Sequence, residues 1–549
     1  MNKDRLKPML FSTIKHYSLK QFGTDAVSGI IVAIIALPLS IALALASGVG
    51  PQEGLYTAIV AGFIISFLGG SRVQIAGPTA AFATIVAGIV AKKGFDGMML
   101  ATIIAGLILV VMGLLRMGSL IRFIPYTITT GFTSGIAVTI VIGQMKDFFG
   151  LTYLKGTNTI ETTDKLRAFG KFFDTVNPYA ILVGIICLAI LIVWPTISEK
   201  IPGSLVAVVV GVLIVKLSGI PVNTIGDLYT INSTLPTPHV PHVTLLAIKE
   251  ALPDGFTIAI LAAIESLLSC VVADSMINSH HRSNMELIAQ GCGNIGSAIF
   301  GGIPATGAIA RTAANIKNGG RTPVAGMIHS VVLVLVLVVL MPYAALIPMP
   351  TIAAILFMVA YNMCQWRTFV HLCKTAPKSD IIVLGITFAL TVIFDLVLAI
   401  EIGMLLAVIL FMKRMSEESV IVGWKYYDPE EDPDGPELKP LPPQVRVYEI
   451  YGPMFFGSSG QIDTMDFRDE TKVIIIRMRG VPALDATAMH SLENFYERCK
   501  EVGIQLVFSH VNEQPMNTMK KDGFTKKVGE ENFRPHIDDA IEWAKGLIA

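Results

Sequence analysis

Charge is scarce in this chain. Of 549 residues only 15% are Asp, Glu, Lys or Arg, against 53% hydrophobic, and the mean hydropathy is +0.63. Soluble domains carry about 25% charged residues. The composition therefore excludes a disordered chain and an ordinary soluble enzyme. Net charge is missing as well: 42 basic and 42 acidic residues cancel, which leaves no electrostatic footprint for nucleic acid. The six cysteines are scattered and form no C-x-x-C pair, so neither a zinc site nor a disulfide framework is expected. There is no G-x-x-x-x-G-K-[ST] phosphate loop, which argues against ATP-driven pumping. A nucleophile elbow and an H-E-x-x-H pair are absent too. The expectation is a protein that is not an enzyme and that holds no cofactor or metal.

The charge that is present is unevenly spread. Residues 1–414 hold 27 Lys/Arg and 18 Asp/Glu, and residues 415–549 hold 15 and 24. The charged fraction thus rises from about 11% to about 29%, the latter typical of a soluble domain. Between the two parts, Asp428–Pro443 is rich in proline and acid and reads as a linker. The expected organisation is a cytoplasmic segment over 1–26, a membrane domain over 27–414, a linker over 428–443 and a soluble domain over 444–549. Residues 1–21 are basic and polar, without a small-residue cleavage pattern, so no cleavable leader is expected.

Twelve apolar runs approach the ~20 residues that a membrane-spanning helix needs. They lie near 27–47, 55–69, 97–115, 120–145, 178–194, 203–218, 255–275, 285–300, 322–341, 350–361, 380–394 and 396–412. Two further segments are too short to cross alone. One follows Gly69-Gly70 and passes through Gly77-Pro78-Thr79. The other follows Gly301-Gly302 and passes through Pro304 and Gly307. Interrupted helices at matching places in two halves are the sequence mark of an inverted-repeat transporter. Adding them gives fourteen spans, seven per half, with a first repeat near 27–218 and a second near 255–414. Seven per half inverts the second half and puts both termini on one side. With that side cytoplasmic, the inner segments hold 17 Lys/Arg and the outer ones 9, as the positive-inside rule asks. Asp395 falls at a span boundary, and Glu401 is a minor intramembrane candidate.

Arg311 is the basic residue left inside the membrane, a position that costs at least ~2.5–3.5 kcal/mol on insertion scales. It sits four residues after Gly307, at the start of the second interrupted helix. Helix N-termini offer free N–H groups and a positive dipole end. Pro78 is expected to begin the matching helix of the first half. Two such termini with one guanidinium make an anion cradle; the bland alternatives are an arginine that snorkels to the surface or neutralises a buried acid. Glu265 lies mid-span and shares a helix face with Ser269. It reads as a proton-exchanging carboxylate near the guanidinium, or else as a static partner of Arg311. Asp274 is expected to be solvated, and His280-His281 to lie in a polar loop. Gly131/Gly135 and Gly291/Gly293/Gly296 allow close helix packing.

Several of these motifs together resemble the SulP (sulfate permease) anion transporters. They are Pro38, Gly50-Pro-Gln-Glu-Gly-Leu-Tyr56, Gly69-Gly-Ser-Arg72, Ala76-Gly-Pro-Thr-Ala80, Ile264-Glu-Ser266, Val272-Ala-Asp274 and the stretch from Gly301 to Arg321. The resemblance covers essentially the whole chain, and its tail looks like a STAS domain, the module shared with anti-sigma-factor antagonists. It implies an α-helical polytopic membrane protein with fourteen transmembrane segments in a 7+7 inverted repeat, core and gate domains, and a small cytoplasmic α/β STAS domain. It also implies a site where the third and tenth helices meet, and a homodimer. Carried over by position, the substrate-binding residues are Thr79 and Ala80, then Ala308, Ile309, Ala310 and Arg311, with Leu39 where vertebrate relatives often have Gln. Sodium-coupled bicarbonate relatives carry Asp at the position of Glu265 and lack an arginine at Arg311. Having both Glu and Arg, this chain is more similar to the dicarboxylate/sulfate-type bacterial branch, with Glu265 and Ser269 as proton-coupling residues.

The tail shows alternating strands at Val445–Tyr451, Val473–Arg479 and Gln505–His510, with helices at Asp485–Val502, near Gln514–Asp522 and at Asp538–Leu547, hence a small α/β sheet domain. Asp485 fits a helix N-cap. In the antagonist relatives a phosphorylatable Ser often follows this Asp; here it is Ala486. The tail is expected to dimerise or to receive a cytoplasmic regulator. The whole reading is a secondary active transporter of a small inorganic or dicarboxylate anion, sulfate or a C4-dicarboxylate, in the inner or plasma membrane. It would work by proton symport or anion exchange rather than sodium coupling. The alternatives are a sodium-coupled bicarbonate or chloride/bicarbonate transporter, a nucleobase permease of the same fold, an anion channel, or a membrane-anchored signalling protein.

Overall fold

The computed structural model describes residues 6–119, 124–154, 157–198, 201–231, 233–241, 243–394, 396–424, 441–465 and 470–548. Asp395 and the expected linker up to residue 440 lie outside the described residues. Two compact units divide the chain, residues 1–404 and 405–549.

In the first half the membrane helices are α1 (Leu19–Ala46), α2 (Pro51–Leu68), α3 (Ala80–Leu114), α4 (Tyr126–Phe148), α5 (Pro178–Ile197) and α6 (Gly203–Ser218). In the second they are α7 (Leu245–Ile277), α8 (Ser283–Ile299), α9 (Ile309–Lys317), α10 (Val324–Ala344), α11 (Met349–Cys364), α12 (Lys378–Ile393) and α13 (Leu396–Glu417). Gly94, at φ 70°, breaks α3 into two arms. Only a residue without a Cβ takes that conformation without strain, and the two arms supply the third and fourth spans. The described elements therefore give fourteen segments in the expected order, as an α-helical polytopic membrane fold. Local chemistry sets several of the boundaries. Ser18 caps α1 by accepting from the Gln21 N–H at 3.2 Å, and Pro51 occupies the first turn of α2, where a missing N–H is harmless.

Packing sorts these helices into two bundles. In one, α1, α2, α3, α7, α8, α9 and α10 pack on each other; in the other, α4, α5, α6, α11 and α12 do. These are the core and gate of the expected fold. The repeat shows in the partners: α1 lies on α10 as α7 lies on α3, seven spans later. Glycines permit the close crossings. A Cβ on Gly131 would stand 2.9 Å from the Leu384 carbonyl, and one on Gly291 2.5 Å from the Gly106 carbonyl.

The second unit holds a five-stranded sheet whose strands lie side by side in the order they occur in the chain. Its strands are β3 (Val420–Gly423), β4 (Val445–Tyr451), β5 (Val473–Gly480), β6 (Gln505–Ser509) and β7 (Phe533–Arg534). β3 runs antiparallel to β4, and the other pairs are parallel. Both faces are covered. Ile474, Ile476 and Met478 point toward α14 (Ala486–Glu501) and α15 (Glu513–Asp522). Val473 and Ile475 point toward α16 (Ile537–Ile548). This strict alternation is the period of a strand buried on both sides. Asp485 caps α14, accepting from Ala488 N at 2.8 Å, and also accepts from Phe456 N at 2.9 Å. The short edge strands β3 and β7 were not expected from the sequence.

Candidate anion site at the junction of two broken helices

Two short strands bring the halves together. β1 (Ala76–Gly77) pairs antiparallel with β2 (Thr306–Gly307), with Ala76 opposite Gly307 and Gly77 opposite Thr306. Ala308 N donates to Ile75 O at 2.9 Å, and Ile75 N donates to Thr312 Oγ1 at 3.0 Å. Each strand runs into a helix within three residues, so α3 and α9 leave the antiparallel pairing at opposite ends with their N-termini turned toward each other. The outer edges of the crossing are held by side chains. Asn294 forms a two-way amide pair with Ala305, at 2.8 and 2.9 Å, and Asn315 donates to Val73 O at 2.8 Å.

Neither N-terminus is capped by a side chain. The N-cap of α9 is Ala308, a residue that costs about 1 kcal/mol relative to Ser or Asp at that place. Thr79, the N-cap of α3, could cap but turns away: its hydroxyl donates to Glu265 Oε2 at 2.9 Å. Helix ends buried without such partners call for a ligand or water. The expectation that Pro78 begins the helix is corrected here. α3 starts at Ala80, because Thr79 is extended at φ −126°, and the Pro78 carbonyl is needed elsewhere.

Arg311 takes that carbonyl. Its Nη2 donates to Pro78 O, while Nε and Nη1 have no hydrogen-bond partner. The side chain is 1% exposed and heads the fully buried side chains by volume. Snorkelling to the surface is excluded, and among the described residues no acid pairs with it. Gly77 makes room, because a Cβ there would collide with the guanidinium. The other strand mirrors this: the Gln74 carboxamide presses on Gly307, where a Cβ would also collide. Each half's strand glycine is thus filled by a polar side chain of the other half.

The remaining expected residues fall as follows. Ala80 and Ala308 are buried, whereas Ile309 and Ala310 are exposed. Glu265 is half-buried on α7 and reaches Thr79, not Arg311. Ser269, one turn further, is buried with an unpartnered Oγ. Leu39 is half-buried in α1 beside Pro38. Glu401 is exposed on α13. Asp274 corrects another expectation. It is half-buried rather than freely solvated: its side chain is 16% exposed and holds the His281 ring at 2.7 Å, since the turn after α7 folds back on that helix. Among the described residues no cluster of His, Cys, Asp or Glu could hold a metal.

Some structural residues escaped the sequence reading. Glu286 is fully buried and accepts from Gly70 N at 2.8 Å and Ser71 N at 3.2 Å, anchoring the entry to β1. An acid inside an apolar run such as 285–300 was the available signal. Gln74 and Thr312 carry no such signal, because a neutral polar residue in a loop or helix is unremarkable until its partner is known.

Known proteins share the overall fold. Residues 22–387 match the sulfate permease family, and residues 439–540 match the STAS domain. The "Putative sulfate transporter YvdB" of Bacillus subtilis is 39% identical over 536 residues, covering 96% of this chain and 98% of the relative. The "Bicarbonate transporter BicA" of Synechocystis sp. is 32% identical, covering 94% and 93%. The solved structure of the murine Solute Carrier 26 family member A9 anion transporter shares the fold at TM-score 0.88 and 19% identity, over 98% of this chain and 94% of that one. The chain belongs to the sulfate permease family and carries a STAS domain behind its membrane helices.

Proposed function

We propose that this protein is a secondary active transporter of a small anion, sulfate or a C4-dicarboxylate, working by proton symport or anion exchange with alternating access. One observation carries the reading: the β1–β2 junction sets two uncapped helix N-termini beside a buried guanidinium with two free donors. A buried unpaired cation costs several kcal/mol, and an anion seated at the N–H groups of α3 and α9 offsets that cost. Backbone N–H groups and a guanidinium suit a tetrahedral or carboxylate oxyanion. They suit a nucleobase edge poorly.

Glu265 supplies the coupling. Its carboxylate touches the cradle through Thr79; proton gain loosens that contact and changes the charge beside the anion. The site moves with the core against the gate. The protein sits in the inner or plasma membrane with both termini cytoplasmic, and it works as a homodimer in which the STAS domain dimerises or receives a regulator. The proposed boundaries are a cytoplasmic segment to residue 26, a membrane domain over 27–414, a linker over 428–443 and the tail over 444–549. Bicarbonate is a second reading, supported by the 32% identical cyanobacterial relative. Proteoliposome uptake of labelled sulfate, succinate and bicarbonate, under imposed proton or sodium gradients, tests both readings. Saturable, proton-driven sulfate or succinate uptake supports the first; sodium-driven bicarbonate uptake replaces it with the second.

A further inference from the structure

A cavity of about 380 Å³ opens between the core and gate bundles. Its core wall is one continuous stripe of α3: Ala81, Thr84, Ile85, Gly88, Lys92 and their neighbours, at helical spacing. The stripe begins one residue past Ala80, at the N-terminus of the cradle, and ends at Lys92-Lys93, just before the break at Gly94. Twelve residues of helix make that run about 18 Å long. The gate wall is formed by Thr139 of α4, Thr391 and Phe394 at the end of α12, and Glu161 at the start of the short helix Thr162–Lys171. The two walls touch near the bottom, where Thr84 Oγ1 and Thr139 Oγ1 are 3.2 Å apart.

Four charged residues line the cavity, and they are not equivalent. Lys93 is committed: its Nζ lies 2.5 Å from Asp254 Oδ2 and 2.6 Å from the Glu250 carbonyl. That tie joins α3 to α7 inside the core, and it cancels both charges. Lys92 and Glu161 remain. Both line the cavity, one on each wall, and neither has an ion-pair partner among the described residues. A cation and an anion thus face one cleft whose lining reaches down to Ala81, the residue after Ala80. The charge asymmetry of the loops assigns this end of α3 to the outer side.

We propose that this cavity is the outer access path to the cradle, and that Lys92 is the residue that draws the anion in, with Glu161 on the opposite wall setting how selective that attraction is. The inference rests on the proposed anion transport. A low-dielectric cleft focuses the field of an unpaired charge and raises the local concentration of the opposite charge. Lys92 acts on the anion before it reaches Arg311, so it governs apparent affinity from outside rather than the turnover of loaded carrier. Glu161 opposes it, and the effect of each is screened by salt. A merely structural lysine would show neither the opposition nor the salt dependence.

The test is initial uptake of labelled sulfate, with bicarbonate and succinate in parallel, into intact cells that express the full chain. Lys92→Gln is expected to raise KM about tenfold at low ionic strength with maximal rate kept. Lys92→Arg should stay near wild type, and Glu161→Gln should lower KM. All three differences should shrink when an inert, non-transported salt is added. Wild-type uptake with Lys92→Gln unchanged in KM, or with a shift that salt does not reduce, overturns the access role and leaves the cradle standing. A wild type that takes up no anion overturns the proposed function and this inference with it.

Discussion

Thr79 gives its hydroxyl to Glu265 at 2.9 Å and leaves the first N–H groups of α3 without a side-chain cap. The pair joins the expected coupling carboxylate to the expected anion site across 186 residues of sequence. In the proposed function, Glu265→Gln keeps the shape and a hydrogen bond to Thr79 but removes the titration. The expected outcome is uptake that no longer depends on pH, with anion binding retained. Uptake rates over a pH series check it, and an unchanged pH profile removes Glu265 from the coupling.

Gly77→Ala and Gly307→Ala place a Cβ into the Arg311 guanidinium and the Gln74 carboxamide respectively. Each is expected to reduce uptake at least tenfold while the protein still reaches the membrane. Gly23→Ala is the control, since nothing lies within 4 Å of a Cβ there. In helix α1 it should be neutral or stabilising by up to about 1 kcal/mol. Uptake and thermal stability of the three purified variants measure this.

Asp485→Ala removes the cap of α14 and the acceptor for Phe456 N. A loss of about 1–2 kcal/mol is expected, confined to the tail. Hydrogen exchange on the full chain should show faster exchange in α14 and no change in the membrane helices.

Cys499 is buried in the tail, and burial pushes its thiol up to about 12. Because the raised value keeps the unreactive thiol form at pH 8, alkylation there should spare Cys499 and label exposed Cys373. Mass spectrometry of alkylated protein reads both. Labelling of Cys499 should appear only when the tail is unfolded.

The sequence shows what depends on neighbours along the chain. Apolar runs mark the spans because a bilayer asks for length and hydropathy, and Gly-Gly followed by Pro or Gly marks the two helices that cannot cross alone. Arg311 stands out because a charge in such surroundings is expensive wherever it points. What stays hidden is pairing. The reciprocal filling of Gly77 by Arg311 and of Gly307 by Gln74 joins residues more than 230 positions apart, and no local pattern announces it. Pro78 illustrates the same limit: proline suits a first helical turn, yet tertiary demand for its carbonyl delays the helix to Ala80. In the tail, the inner strands are legible from alternation, whereas β7 is two residues long and exists only through pairing with β6.

In the proposed function, a buried guanidinium and two helix N-termini hold the transported anion. Sulfate binding and uptake by purified Arg311→Ala beside Arg311→Lys decide this, with folding checked by size-exclusion profile and melting. Arg311→Ala is expected to be folded yet to lose uptake and binding by at least a hundredfold, and Arg311→Lys, a point charge without the fork that reaches Pro78, to keep only a part. Wild-type binding and uptake kinetics in Arg311→Ala would contradict it.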